Sequence, residues 1–166
     1  MSHSIGVIGI GFGLAVPPPA FRKDSRCNVT SICASTAERA AEAAKQAGIP
    51  KSFGDWRELV ADPEIDIVSV ATQARVQYEI AQYAIEKGKH VFLEKPAAPG
   101  AYEANRLVGL GEAKKIRTSL DFEFLETPGW AELKQALDAG ELGDLRIINV
   151  DWQVNSYPIQ KGFFYS

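Results

Sequence analysis

Reactive and switchable groups are scarce in this 166-residue chain, which has two cysteines, two histidines and one methionine. It also lacks any run of about 18 apolar residues, so no membrane-spanning helix is expected. The start, Met1-Ser2-His3-Ser4, lacks the charged segment and apolar run of a secretory signal, and a cytoplasmic location is expected. A net charge of −3 gives no basic footprint for nucleic acid. Cys27 and Cys33 bracket one predicted strand. Six residues of strand span about 20 Å, beyond disulfide reach. Both are therefore read as free thiols in a reducing compartment, as buried filler, with no metal site between them. His3 is assigned to the N-terminal tail and His90 to a strand, which leaves no candidate catalytic histidine.

What is present is enough for a core, with 46% of residues hydrophobic. The apolar run Ile5-Gly6-Val7-Ile8-Gly9 reads as a strand and leads straight into Gly9-Ile10-Gly11-Phe12-Gly13. A strand entering glycines, with another strand about 20 residues on, is the pattern of a dinucleotide-binding βαβ unit. Gly9 would allow the tight turn. Gly11 would let the backbone approach a pyrophosphate held at the following helix N-terminus. The third fingerprint position is Leu14, a departure that counts against tight pyrophosphate binding. Prolines 17–19 are tolerated only in a helix's first turn, so a helix is expected from about Pro18 or Pro19 after an irregular loop.

Strands and helices then alternate. Residues 28–34 read as a strand. Thr36 caps an alanine-rich helix over 37–47 that Gly48 ends. Ser52-Phe53 is a short strand, Asp55 caps a helix over 56–61, and 65–71 is a β-rich strand. A helix over 76–87, the strand 90–93, a helix over 100–114 and a strand over 116–120 follow. This order predicts an α/β fold of Rossmann type, a doubly wound parallel sheet covered by helices. Pro128 opens a further helix to about 139. Residues 145–154 alternate, with Ile148, Val150, Trp152 and Val154 on one face, and read as a half-buried strand of a different sheet.

Ligands of open α/β sheets sit beyond the carboxyl ends of the strands. Three such ends carry informative residues here: the glycines, Ala71-Thr72-Gln73 and Glu94-Lys95-Pro96. At the end of the second strand, Ala34-Ser35-Thr36 has no acid to bind a ribose 2′-hydroxyl. Two hydroxyls and Arg39 suit a 2′-phosphate, which favours NADP over NAD. Glu38 stands close enough to serve NAD instead. On the plainer reading, Thr36 is only a helix cap and Arg39 only a surface residue.

The stretch from Val68 to Thr72, the run Ala84-Ile85-Glu86-Lys87-Gly88-Lys89-His90-Val91-Phe92-Leu93-Glu94-Lys95-Pro96 and the later Ala139-Gly140-Glu141-Leu142-Gly143-Asp144-Leu145 resemble the Gfo/Idh/MocA family. The family is named for glucose–fructose oxidoreductase, inositol dehydrogenase and rhizopine catabolism. The resemblance implies an NAD(P)-dependent oxidoreductase acting on a sugar, a polyol or a related hydroxyl or carbonyl compound. It places Lys95 at the nicotinamide and the reacting hydroxyl, where a cation stabilises a developing alkoxide or relays a proton. Glu94 would position Lys95 or contact the nicotinamide ribose, and Pro96 would follow a cis peptide. Gly9, Ile10, Gly11 and Phe12 would hold pyrophosphate. Ser35, Thr36 and Arg39 would face the adenosine ribose, and Ala71, Thr72 and Gln73 the nicotinamide side. Gln77 stands where the family commonly has histidine. It could hydrogen-bond cofactor or substrate but could not shuttle a proton near neutral pH.

The resemblance divides the chain into an NAD(P)-binding domain over 1–121 and, over 122–166, only the first helix and strand of a second, α+β substrate and oligomerisation domain. The chain is thus expected to be the cofactor-binding half of the enzyme. An apolar strand face without its sheet predicts self-association through 145–166. A non-catalytic nucleotide-binding or interaction module is the alternative.

Overall fold

The order of strands in the sheet reverses once, and that reversal positions the site. The computed structural model describes residues 2–151. The chain divides into two units, Met1–Asp121 and Phe122–Ser166. The first unit holds β1 (His3–Ile8), α1 (Phe12–Ala15), α2 (Pro17–Phe21), β2 (Cys27–Cys33), α3 (Ala37–Ala47), β3 (Lys51–Phe53) and α4 (Trp56–Ala61). It continues with β4 (Ile67–Val70), α5 (Ala74–Glu86), β5 (His90–Leu93), α6 (Ala101–Lys114) and β6 (Thr118–Leu120). All neighbouring strands pair in parallel, in the order β3-β2-β1-β4-β5-β6. This is the doubly wound Rossmann-type sheet, with its switch point between β1 and β4.

The central strands are buried on both faces, as their near-continuous apolar runs require. Ile5 and Val7 point into one core with Val29, Ile32, Ala43 and Ala44. Ile8 points into the other with Leu59, Val68, Val70, Ile80 and Ala84. Full burial of each such Ile, Val or Leu side chain contributes about 1.5–3 kcal/mol. Caps set the helix limits. Thr36 Oγ1 accepts from the Arg39 amide at α3 and Asp55 from the Arg57 amide at α4, while Gly48 closes α3 in the left-handed region. The two cysteines of β2 are free. Burial, with the Asp55 and Glu58 carboxylates, pushes the Cys33 thiol up to about 11, which leaves it an unreactive core residue.

Three expectations are corrected. The segment between the glycines and the prolines is not an irregular loop: a helical turn, α1, starts at Phe12, immediately after the glycines. Prolines 17–19 have no N–H to give the carbonyls of Gly13, Leu14 and Ala15, so helix α1 stops after one turn. The expected helix then opens on Pro17, one residue before its predicted start. His3 lies in β1, not in a tail, and its amide donates to the Arg26 carbonyl at 2.7 Å. Residues 145–151 form no strand, although their sequence alternates. A strand needs a neighbouring edge to hold its backbone groups, and among the described residues none pairs with them. The rest of that predicted strand, 152–154, lies outside the described residues.

The second unit contains a 3₁₀ turn (Glu123–Glu126) and α7 (Pro128–Asp138), whose Lys134 pairs with Asp138 one turn on. Leu145, Ile147, Ile148 and Val150 are exposed.

Candidate functional site

The site begins where β1 meets the glycines. Gly9 has φ of +112°, and a Cβ there would stand 2.3 Å from the Ala71 carbonyl oxygen. Only glycine fits, because its backbone is wedged between the ends of β2 and β4. Its amide donates to the Cys33 carbonyl at 3.1 Å, and the Ala71 amide donates to the Ile8 carbonyl at 2.9 Å. Ile10 packs onto the Ile5–Ile32 core. Gly11 caps α1, is exposed, and has no protein atom within 4 Å of its missing Cβ, so a ligand has room to approach its backbone. Phe12, half-buried, opens α1. The absent third glycine is replaced from one position earlier: Gly13 is buried with its missing Cβ 3.0 Å from the Ala71 methyl. Gly13 thereby provides the close helix–strand approach usually assigned to the third glycine. The Leu14 departure therefore does not by itself obstruct the turn.

Beyond the ends of β1, β2 and β4 lies a crevice of about 340 Å³, with Gly9, Ser35, Arg39, Trp56 and Thr72 in its walls. Arg39 Nη1 donates to Ser35 Oγ at 2.8 Å, and the Thr36 hydroxyl accepts from the Arg39 amide at 3.3 Å. Among the described residues no carboxylate pairs with Arg39. Glu38 is engaged locally: its own backbone N–H and then the Thr36 hydroxyl hold its carboxyl below the usual range. The arrangement leaves a cation and two hydroxyls on one rim, with the nearby acid turned to the helix start. Such a rim suits a phosphate better than a neutral hydroxyl.

The other end of the site is built on β4, β5 and β6. Thr72 Oγ1 is buried without a partner. Gln73 is exposed, flanks α5 as its cap residue, and its carbonyl accepts from the Gln77 amide at 2.8 Å. The Glu94 amide donates to the Val70 carbonyl at 3.0 Å, continuing the sheet by one bond. Glu94 Oε2 accepts from the Lys95 amide at 3.2 Å, while its Oε1 is buried without a partner. Lys95 is exposed and joined to Pro96 by a cis peptide. Asp121 follows β6, and its amide donates to the Leu93 carbonyl at 2.8 Å, which brings its carboxyl beside Glu94. Burial first, and the Asp121 charge second, raise the Glu94 carboxyl above its ordinary value.

Gln77 differs from the role considered for it. It is fully buried, and its Nε2 donates to the Glu94 carbonyl and, at 2.9 Å, to the Pro96 carbonyl. Its donor capacity is spent on backbone, not directed at a ligand. His90 is likewise structural, since its Nδ1 accepts from the Arg117 amide at 3.0 Å. Asp121 and Trp56 were not singled out from sequence. Asp121 is the first residue past a strand, so the strand-end rule that selected Thr72 and Glu94 also points to it. Trp56 follows a helix cap, and no local pattern distinguishes it from a core aromatic.

A bound dinucleotide fits these residues. Gly11 leaves open backbone, Arg39 offers an uncompensated charge, and Thr72 Oγ1 and Glu94 Oε1 are buried polar atoms awaiting partners.

Comparison with known proteins agrees with this fold. Residues 3–122 match the Gfo/Idh/MocA profile, described as an oxidoreductase family with an NAD-binding Rossmann fold. The chain is 37% identical over 153 residues to an uncharacterized oxidoreductase of Synechocystis sp., covering 92% of this chain and 41% of that protein. It is 33% identical to levoglucosan dehydrogenase of Pseudarthrobacter phenanthrenivorans, covering 84% of this chain and 38% of that enzyme. Among solved structures, an NAD binding oxidoreductase from Klebsiella pneumoniae superposes with a TM-score of 0.80 at 31% identity, over 86% of this chain and 40% of that one. The chain thus spans about two fifths of the length of the curated relatives it matches.

Proposed function

The chain belongs to the Gfo/Idh/MocA oxidoreductase family, and from that membership we propose that it is the cofactor-binding part of a dehydrogenase of sugars or polyols. The observation that carries this reading is the convergence at one switch point of the glycine turn, the Ser35–Arg39 rim and the Glu94–Lys95 strand end. A bound nicotinamide dinucleotide supplies the hydride acceptor or donor. The chain's own residues do the rest. Gly9, Ile10, Gly11 and Phe12 form the turn that receives the pyrophosphate. Ser35, Thr36 and Arg39 bind the adenosine ribose, and the unpaired Arg39 favours the 2′-phosphate of NADP over NAD. Ala71, Thr72 and Gln73 border the nicotinamide side, and Glu94 offers its free Oε1 there. Lys95 places an ammonium beside the oxygen of the reacting carbon, where it stabilises the developing alkoxide and moves a proton. The sugar or polyol class is taken from relatives such as levoglucosan dehydrogenase.

The same reading extends to the second unit. Residues 122–166 are the beginning of the substrate and oligomerisation domain, and self-association runs through the exposed Leu145, Ile147, Ile148 and Val150. The expected association surface over 152–166 lies outside the described residues. Two free cysteines suit a reducing, cytoplasmic setting.

A fluorescence titration tests the proposal, because Trp56 lines the crevice. NADPH should quench its emission at lower concentration than NADH. Binding of neither cofactor contradicts the proposal. Binding with turnover of a sugar and polyol panel supports a dehydrogenase, and binding without turnover favours the non-catalytic nucleotide module.

A further inference from the structure

Gln77 occupies the first turn of α5, where its backbone is fixed by the bond from its amide to the Gln73 carbonyl. Its side chain is wholly shielded from solvent. The two carbonyls it meets belong to Glu94 and Pro96, the residues on either side of Lys95. Carbonyl oxygens only accept, so the amide nitrogen must be the atom that faces both of them. The cost of that orientation is visible: Gln77 Oε1 is left buried without a partner. An orphaned buried acceptor is rare enough that something specific must hold the amide this way round.

We propose that Gln77 is the positioning residue for Lys95, clamping the Glu94-Lys95-Pro96 turn through one nitrogen that carries two hydrogens. The proposal rests on the reading of Lys95 as the group that faces the nicotinamide. The chemistry explains glutamine in particular. β5 ends at Leu93, so the carbonyls of Glu94 and Pro96 lie beyond the strand and outside its ladder. A primary amide is the one neutral side-chain group that satisfies two acceptors from a single atom. A histidine nitrogen bears one hydrogen and would hold one carbonyl only. A carboxylate would repel both. Gln77 also adds no charge beside Lys95. The turn is thus fixed from two directions, from the sheet by the Glu94 amide on the Val70 carbonyl at 3.0 Å, and from α5 by Gln77.

The test is amide hydrogen exchange on the full chain, which needs no cofactor. In Gln77→Leu, exchange over residues 94–98 should accelerate at least about tenfold, while β1 and β4 keep the parent rates. Gln77→His, with one donor, should fall between parent and Gln77→Leu, and it also serves if the leucine variant does not fold. Gln77→Glu should be fast at neutral pH. It should slow again on the acid side, after correction for intrinsic exchange, because its protonated form regains one donor. That pH profile is not expected of a residue that only fills space. A second readout is the emission of bound NADPH: Gln77→Leu should alter the nicotinamide signal and leave affinity for 2′,5′-ADP within about twofold. Parent-like exchange over 94–98 in Gln77→Leu, or equal acceleration throughout the sheet, overturns the proposal. Failure of the parent chain to bind NADPH removes the nicotinamide reading of Lys95, while the exchange rates still decide whether Gln77 clamps the turn.

Discussion

The two ends of the proposed cofactor site are built by opposite means. At the end proposed for the adenosine, Ser35, Thr36, Glu38 and Arg39 lie within five residues of one another and hold each other through local bonds at the start of α3. At the end proposed for the nicotinamide, Thr72, Gln77, Glu94, Lys95 and Asp121 arrive from three strand ends and a helix, and buried atoms carry the arrangement. The first end is an exposed rim that presents a charge. The second is a supported turn that holds a lysine in place. Selecting a cofactor needs a charge in the right place, and local sequence can supply it. Holding a reacting group needs rigidity, which only tertiary packing supplies.

The comparison can be broken at the point the two ends share. Gly9→Ala combines a left-handed backbone with a Cβ 2.3 Å from a carbonyl oxygen, so it should cost at least about 3 kcal/mol of stability and abolish binding at both ends. Thermal unfolding and a cofactor titration check this. Arg39→Ala acts at one end only. NADPH affinity should fall roughly 10–100-fold by calorimetry while NADH changes less than about twofold, because only the 2′-phosphate loses a charged partner.

Leu14→Gly restores the third fingerprint glycine. Since Gly13 already makes the close approach to Ala71, the variant should lose at least about 1 kcal/mol of stability, through helix propensity and the lost packing of the Leu14 side chain on the Ile5–Ile32 core, and gain no affinity. Tighter NADPH binding by Leu14→Gly would show that the turn is impaired.

The smallest effect belongs to Asp121→Asn, at the end proposed for the nicotinamide. Folding raises the Glu94 carboxyl above its ordinary 4.5, so the native state keeps that proton to higher pH than the unfolded chain does. Stability from this group is present below 4.5, declines as pH rises from 4.5 to the raised value, and is flat above it. Removing the Asp121 charge should narrow that window and leave the variant slightly more stable than the parent at neutral pH, as melting curves across the acid range would show.

The same contrast explains what was legible in the sequence. Caps and periodicity are local, so Thr36, Gly48 and Asp55 marked helix ends that the structure retains, and strand 90–93 agrees to the residue. The Ser35–Arg39 pair was legible for the same reason. Gln77 was visible as a residue but not as a clamp, because its partners lie 17 and 19 residues away. Prolines 17–19 pointed correctly to a break. The helix they open starts within a residue of its expected place, but the segment before them is a single helical turn and not a loop. The alternation over 145–151 was read as a strand because periodicity records which face is apolar, not whether an edge is available to pair.

The separation of the two ends is tested most directly by backbone amide NMR of the full chain titrated first with 2′,5′-ADP and then with NADPH. The fragment should move the resonances of Ser35, Thr36 and Arg39 and leave residues 94–98 still, and NADPH should then move both sets. Shifts at 94–98 with the fragment alone, or no shifts at either end with NADPH, would contradict the account.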